Sequence, residues 1–211
     1  MNARERVADL LNGDVRTYAE QAGIRLADRP APLYQLLVLS LLLSTRISAD
    51  IAVAAARELH AAGYMTPSRM REARWQDRVD ALGRARYRRY DESTATRLGD
   101  GAQLLRDRYR DDLRRLARGA DCDVRRAKQE LQDFPGIGPV GADIFLREVQ
   151  RIWSWVQPYA DARVATGAKR LGLPATADRL AELAGTTDLS RLSAAIIDVT
   201  RGRKSRVAPR S

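Results

Sequence analysis

Apolar residues recur along this chain at helical spacing, and strict alternation never persists beyond a few residues, so an all-α fold is expected. A first helical region is expected over about Ala3–Gln21, before Asp28-Arg29-Pro30-Ala31-Pro32 breaks the chain. Leu33–Leu43 is apolar almost all round and should form a buried central helix. Ser48 is a candidate N-cap for a helix to Ala62 that Gly63 ends, and Thr66-Pro67 starts a short helix with Pro in its first turn. Further helices are expected near Trp75–Leu82, Asp91–Arg110, Asp112–Arg118 and Asp123–Asp133. Beyond a Gly/Pro hairpin they resume at Val140–Ile152, Asp161–Leu171, Ala177–Ala184 and Leu189–Arg201. Many short helices without an internal repeat argue against a coiled coil or a simple four-helix bundle.

Composition narrows the chemistry. The chain has 211 residues and a formal net charge of +10, from 37 Lys+Arg against 27 Asp+Glu. That excess points to an anionic partner, nucleic acid before a membrane surface. The longest apolar run, Leu36–Leu43, is too short to span a bilayer, and the mixed charges of Met1–Arg6 are not those of a secretory signal. A soluble, cytoplasmic protein is expected. One cysteine, Cys122, and one histidine, His60, argue against a disulfide scaffold, a four-cysteine metal or iron–sulfur site and paired-histidine zinc chemistry. Only Lys128, Lys169 and Lys204 are lysines, which leaves Schiff-base chemistry few candidates.

The most informative stretch is Phe134-Pro135-Gly136-Ile137-Gly138-Pro139-Val140-Gly141-Ala142-Asp143, with an amphipathic helix on either side. Gly136 and Gly138 allow a tight turn and hold no partner away, Ile137 can anchor the turn in the core, and Pro139 suits the first position of the outgoing helix. That helix start then offers free N–H groups and a positive dipole end to a phosphate. The backbone at Gly136, Gly138, Val140 and Gly141 is thus a candidate DNA-binding surface. A plain helix-to-helix turn is the competing reading.

This string resembles the motif of the helix-hairpin-helix superfamily. About 20 residues further on, Tyr159-Ala160-Asp161-Ala162-Arg163-Val164 places an Asp at a helix start. The pairing of hairpin and Asp is similar to that of the endonuclease III-like DNA glycosylases. Arg170-Leu171-Gly172-Leu173 and Leu41-Leu42-Leu43-Ser44-Thr45-Arg46 also resemble segments of that family, so the likeness spans roughly Leu33 to Leu173. It implies a two-lobed fold: a central helical barrel over about residues 30–150, and a second lobe from residues 1–29 and 151–211. It also implies a catalytic role for Asp161. Glycosidic cleavage builds positive charge on the sugar, which a carboxylate can stabilise while orienting a water, once the base has been flipped from the stack. Asp is equally a preferred N-cap, and the two roles are compatible.

Departures from the family pattern shape the expectation. Where bifunctional members carry a Schiff-base lysine, this chain has Val140 beside Gly141. A monofunctional glycosylase, hydrolysing the bond without cleaving the strand, is expected. With Cys122 alone, no iron–sulfur cluster is expected. Arg163 stands where the family often has His, and Arg46 where it often has Gln filling the gap left by the flipped base. Arg46 can fill that gap and contact phosphate, or be an ordinary surface arginine. The resemblance further implies a structural Na+ or K+ held by the backbone carbonyls of Gln132, Phe134 and Ile137.

Three other features carry readings of their own. Arg84-Ala85-Arg86-Tyr87-Arg88-Arg89-Tyr90 interleaves basic and aromatic residues, so Arg84 and Arg86 can contact phosphate and a tyrosine can stack near an extruded base; a solvated loop is the alternative. Trp153, Trp155 and Tyr159 precede Asp161, and Trp155 and Tyr159 are candidates to line a base pocket, or core. Arg106–Arg118 is expected to be a solvated face with internal ion pairs, and the basic tail Arg201–Ser211 a non-specific attraction for phosphates. The expected partner is double-stranded DNA, with no membrane association, and the protein is expected to be a monomer. The rivals are a non-catalytic DNA-binding protein using the same hairpin, and a structural helical protein whose charge is compositional bias.

Overall fold

The computed structural model describes residues 2–202, which are helical without strands. They divide into two compact units, one comprising Ala19–Phe145 and the other the chain before and after it. The basic tail beyond residue 202 lies outside the described residues.

The centre of the Ala19–Phe145 unit is helix α3, Pro30–Ser44, whose residues 33–42 are all buried. A helix apolar on every side must be enclosed by others. It packs on α4 (Ala49–Ala61), α4 packs on α6 (Trp75–Arg84), and α5 (Pro67–Glu72) and α6 both pack on α7 (Asp91–Tyr109). α8 (Arg114–Gly119) packs on α9 (Val124–Gln132), which leads through the hairpin into α10 (Pro139–Val149). Local chemistry sets these boundaries. Ser48, Thr66 and Asp123 each accept a backbone N–H as N-caps. Pro30 occupies the first turn of α3, so the expected break shrinks to the residues before it.

In the other unit, α13 (Ser190–Thr200) packs against α1 (Ala3–Asn12) and α11 (Ala162–Arg170), and α12 (Ala177–Ala184) packs on α1. Val7, Val164, Leu180, Leu192 and Ile196 form the centre of its core. α11 and α13 approach closely at Gly167, where a Cβ would stand 2.6 Å from Ile196 Cγ2. α11 ends on Gly172 at φ +67°, and Arg6 of α1 donates to the carbonyls of Leu171 and Gly172.

The expected single region over Ala3–Gln21 is two helices. α1 stops at Asn12, Gly13 is extended, and α2 is the short turn Tyr18–Gln21. Arg106–Arg118 is likewise not one face: Arg110 and Asp111 take left-handed backbone and separate α7 from α8. One of its acids pairs outside the segment, Asp111 with Arg71, while Asp112 makes an internal pair with Arg114.

Candidate functional site

The hairpin is built on one unusual backbone position. Gly136 has φ +85°, in the left-handed region that favours glycine. A Cβ there would also lie 2.7 Å from Arg97 Cδ and 3.4 Å from Leu41 Cδ1. Gly138 differs: its φ is not positive and an added Cβ would touch nothing, so no folding constraint demands glycine there. Gly141 is buried, and a Cβ added to it would lie 3.3 Å from Ile137 Cγ2 and 3.4 Å from Ser44 Cβ. Ile137 is buried beneath the turn, and Val140 is 58% exposed on the first turn of α10. The first bond of that helix runs from Ala142 N–H to the Gly138 carbonyl, so the N–H groups of Val140 and Gly141 donate to no described residue. Lys128 of α9 pairs with Asp143 of α10 and braces the two arms.

The same unit gathers other candidate residues around the hairpin. Ser44 Oγ, which donates to the Leu41 carbonyl at 2.8 Å, also lies 3.4 Å from the Gly136 carbonyl, which places the end of α3, and so Thr45 and the exposed Arg46, beside the turn. Thr45 Oγ1 donates to the Leu42 carbonyl and lies 2.9 Å from the Tyr87 hydroxyl, tethering the Arg84–Tyr90 segment to the same place. Tyr87 is fully buried, and burial pushes its phenol pKa up. It is therefore an anchor and not a surface for stacking; among the two tyrosines of this segment, the half-buried Tyr90 lies beneath the Arg89 guanidinium. Arg84 turns away, bound to Glu58 at 2.8 Å. Arg86 is exposed, with no carboxylate partner among the described residues, and its left-handed φ of +62° marks the bend after α6.

The three carbonyls expected to hold a monovalent cation differ in what they accept. Those of Gln132 and Ile137 accept from no described residue, and that of Phe134 accepts the Ile137 N–H at 2.9 Å, which leaves it a second lone pair. All three retain acceptor capacity for a hard cation.

Asp161 stands in the other unit, where it is the N-cap of α11 and 7% exposed. Its Oδ1 accepts the N–H groups of Arg163 and Val164, each at 2.9 Å. Its Oδ2 pairs with Arg147 Nη1, and both side chains are only 3% exposed. An ionised carboxylate has about four lone-pair positions. The cap fills both on Oδ1 and Arg147 fills one on Oδ2, so among the described residues three of these positions have a donor. Arg163 contributes its backbone N–H to this cap.

The loop before Asp161 is organised by the fully buried Gln150. Its Nε2 donates to the Arg147 and Tyr159 carbonyls, and its Oε1 accepts from Tyr159 and Leu189 N–H. Tyr159 is thereby fixed at its backbone, with its ring half-buried. Trp155 is half-buried and stacks on the buried Trp153 at 5.2 Å between centroids. Two residues of consequence, Arg147 and Arg97, are not evident from sequence. The only signal for Arg147 is its place in the apolar run Ile144–Val149.

Cys122 is exposed, on left-handed backbone at φ +55°. Among the described residues no group of three metal-ligating side chains converges, and no helix is long and apolar enough to cross a membrane.

No protein-family model and no curated protein matches the chain. Among solved structures it is similar to an endonuclease III trapped as a covalent intermediate with DNA, in an estranged-adenine complex. The TM-score is 0.51 at 15% sequence identity, covering 99% of this chain and 92% of that one. At this identity the likeness establishes the fold alone: the chain has the all-α fold of that endonuclease III.

Proposed function

We propose that this protein is a monofunctional DNA glycosylase, which flips a damaged or mispaired base from duplex DNA and hydrolyses its N-glycosidic bond. The observation that carries the reading is the buried Asp161 carboxylate, on whose Oδ2 Arg147 is the one donor among the described residues, in a chain with the fold of an endonuclease III trapped with DNA. Through Oδ2 the carboxylate aligns water and opposes positive charge developing on the sugar. The hairpin backbone at Gly136, Gly138, Val140 and Gly141, with Arg46 and Arg86, supplies phosphate contacts. A Na+ or K+ on the Gln132, Phe134 and Ile137 carbonyls would add positive charge beside the hairpin. Trp155 and Tyr159 supply aromatic surface near Asp161 for an extruded base.

Side chains support the reading that lyase chemistry is absent. Val140 and Gly141 carry no nucleophile, and Lys128, near them in sequence, is held by Asp143. The test is a panel of duplexes, each with one lesion or mismatch, assayed with and without alkali. Base release should yield strand breaks only after alkali, borohydride should trap no covalent adduct, and Asp161→Asn should abolish release while retaining binding. An adduct would overturn the monofunctional assignment.

One observation favours the second reading, a DNA-binding protein without catalysis. Arg147 compensates the Asp161 charge, and so weakens the field a cationic sugar would feel. On that reading the lesion panel gives no base release with any duplex, while binding persists.

A further inference from the structure

We infer that Arg97 is a phosphate ligand of the hairpin surface, set on the flank of Gly136 to grip the backbone of duplex DNA. This rests on the DNA-binding reading above and adds a residue to it.

Arg97 lies on α7, far from the hairpin in sequence, yet its side chain runs along the turn. A Cβ on Gly136 would meet its Cδ at 2.7 Å and its Nε at 3.5 Å. Its stem borders a small apolar depression formed with Leu41, Phe134, Pro135 and Ile137. Stem packing of this kind fixes where the guanidinium stands. The head has no matching partner. Among the described residues, no carboxylate lies within ion-pair distance of Arg97 and its guanidinium donates no hydrogen bond.

Other arginines show how unusual this is. Arg71 is held by Asp111, Arg147 by Asp161, and the buried Arg78 donates to the carbonyls of Met70 and Ala73. Arg97 is half-buried, fixed by packing, and uncompensated. Its field reaches the Tyr87 phenol, whose hydroxyl is bonded to Thr45 at the end of α3. A cation pinned against an apolar floor, its five donors unspent, suits an anion with several oxygens, and the guanidinium fork matches a phosphodiester. Glycine at position 136 then does two things. It permits the left-handed turn, and it gives the Arg97 stem room to lie against the hairpin.

The experiment uses the whole chain and a fluorescent-labelled undamaged duplex, with anisotropy titrations over a series of salt concentrations. Arg97→Gln should weaken binding several-fold at low salt and make the slope of log K against log salt less negative by about 0.9, the value of one lost phosphate contact. Arg97→Lys, which keeps the charge, should retain the slope. Arg179→Gln, which removes a charge paired with Glu182, serves as the charge-matched control and should leave the slope unchanged. Thermal melting checks that each variant is folded; if Arg97→Gln is not, Arg97→Met, which keeps the apolar stem, takes its place. Wild-type binding with an unchanged slope in the neutral variant overturns the Arg97 assignment alone. A loss of slope as large in Arg179→Gln overturns it too, since net charge would then explain the effect. A wild-type chain without salt-dependent binding overturns the DNA reading and this assignment together.

Discussion

Replacing Arg147 with Met should destabilise its unit by about 3–5 kcal/mol, the cost of leaving one member of a buried ion pair without its partner. The structure places the effect toward the lower end. Methionine fills the volume of the arginine stem, so little cavity is added, and Asp161 keeps two backbone N–H donors on Oδ1. What remains is a carboxylate with a side chain 3% exposed and its counter-ion gone. Asp161→Asn should be similarly costly for the opposite reason: asparagine still caps α11, but the buried guanidinium is orphaned. The double variant Arg147→Met/Asp161→Asn removes both charges and keeps the cap, so it should fall within about 1 kcal/mol of wild type.

The coupling between the two sites is therefore expected to be about 3 kcal/mol or more. Urea unfolding reads it as a double-mutant cycle, followed by the fluorescence of Trp153 and Trp155 in the loop before Asp161 with Trp75, the third tryptophan, replaced by Phe in every variant. A loss of about 3 kcal/mol corresponds to a melting temperature roughly 6–12 °C lower in a chain of this size. If the single-variant costs sum to the double-variant cost within about 0.5 kcal/mol, the ion pair does not carry the energy assigned to it.

Three further outcomes are expected. His60, the one histidine, has its pKa lowered below 6.5 chiefly by burial, against a hydrogen bond to the Ala22 backbone. The unfolded chain then binds the proton more readily than the native one, so stability should fall as pH drops below about 6.5 and level off below the native pKa. A single imidazole NMR titration with a midpoint at or above 6.5 would contradict this. Gly136→Ala should cost about 1–3 kcal/mol from left-handed backbone and contact with Arg97, while Gly138→Ala, meeting nothing, should change stability by less than about 0.5 kcal/mol, both read by thermal melting. Gly167→Ala should cost about 1–3 kcal/mol by overpacking against Ile196, and an unchanged melting temperature would show that α11 and α13 can separate freely.

Features that depend on neighbours in sequence are legible in the sequence itself. Ser48, Thr66, Asp123 and Asp161 are caps because a short polar side chain reaches its own helix start, which is a matter of two or three residues. The uniform apolarity of α3 announces its burial, and the alternation of Gly and Pro announces the hairpin. Pairing across the chain is not legible. Arg147 meets Asp161 fourteen residues away, and in a chain so rich in arginine no single one stands out. Arg84 and Arg86 look equivalent in sequence, yet Arg84 lies on α6 facing Glu58 while Arg86 lies past its end. Tyr87 sits among four arginines and reads as surface, but the turn after α6 aims it inward to Thr45. The break in the first helical region is hidden because the apolar spacing of residues 3–21 survives the Gly13 interruption, and spacing alone does not register an extended glycine.

Asp161 shows why a cap and a catalytic carboxylate cannot be separated by deletion alone. Both lone pairs on Oδ1 hold α11, so an Asp161→Ala variant loses the cap, the charge and the partner of Arg147 at once. Loss of base release in that variant would say nothing about chemistry. Asparagine keeps an oxygen where the cap needs it and removes the charge that an oxocarbenium-like sugar would feel. Its remaining defect, the orphaned Arg147, is cancelled in the double variant with Met. A double variant as stable as wild type that binds DNA and releases no base, beside an Arg147→Met variant that still releases it, would then place the loss in the Oδ2 charge itself. The catalytic reading turns on the negative charge left at Oδ2 once Arg147 has taken its share, and the binding reading does not require that charge.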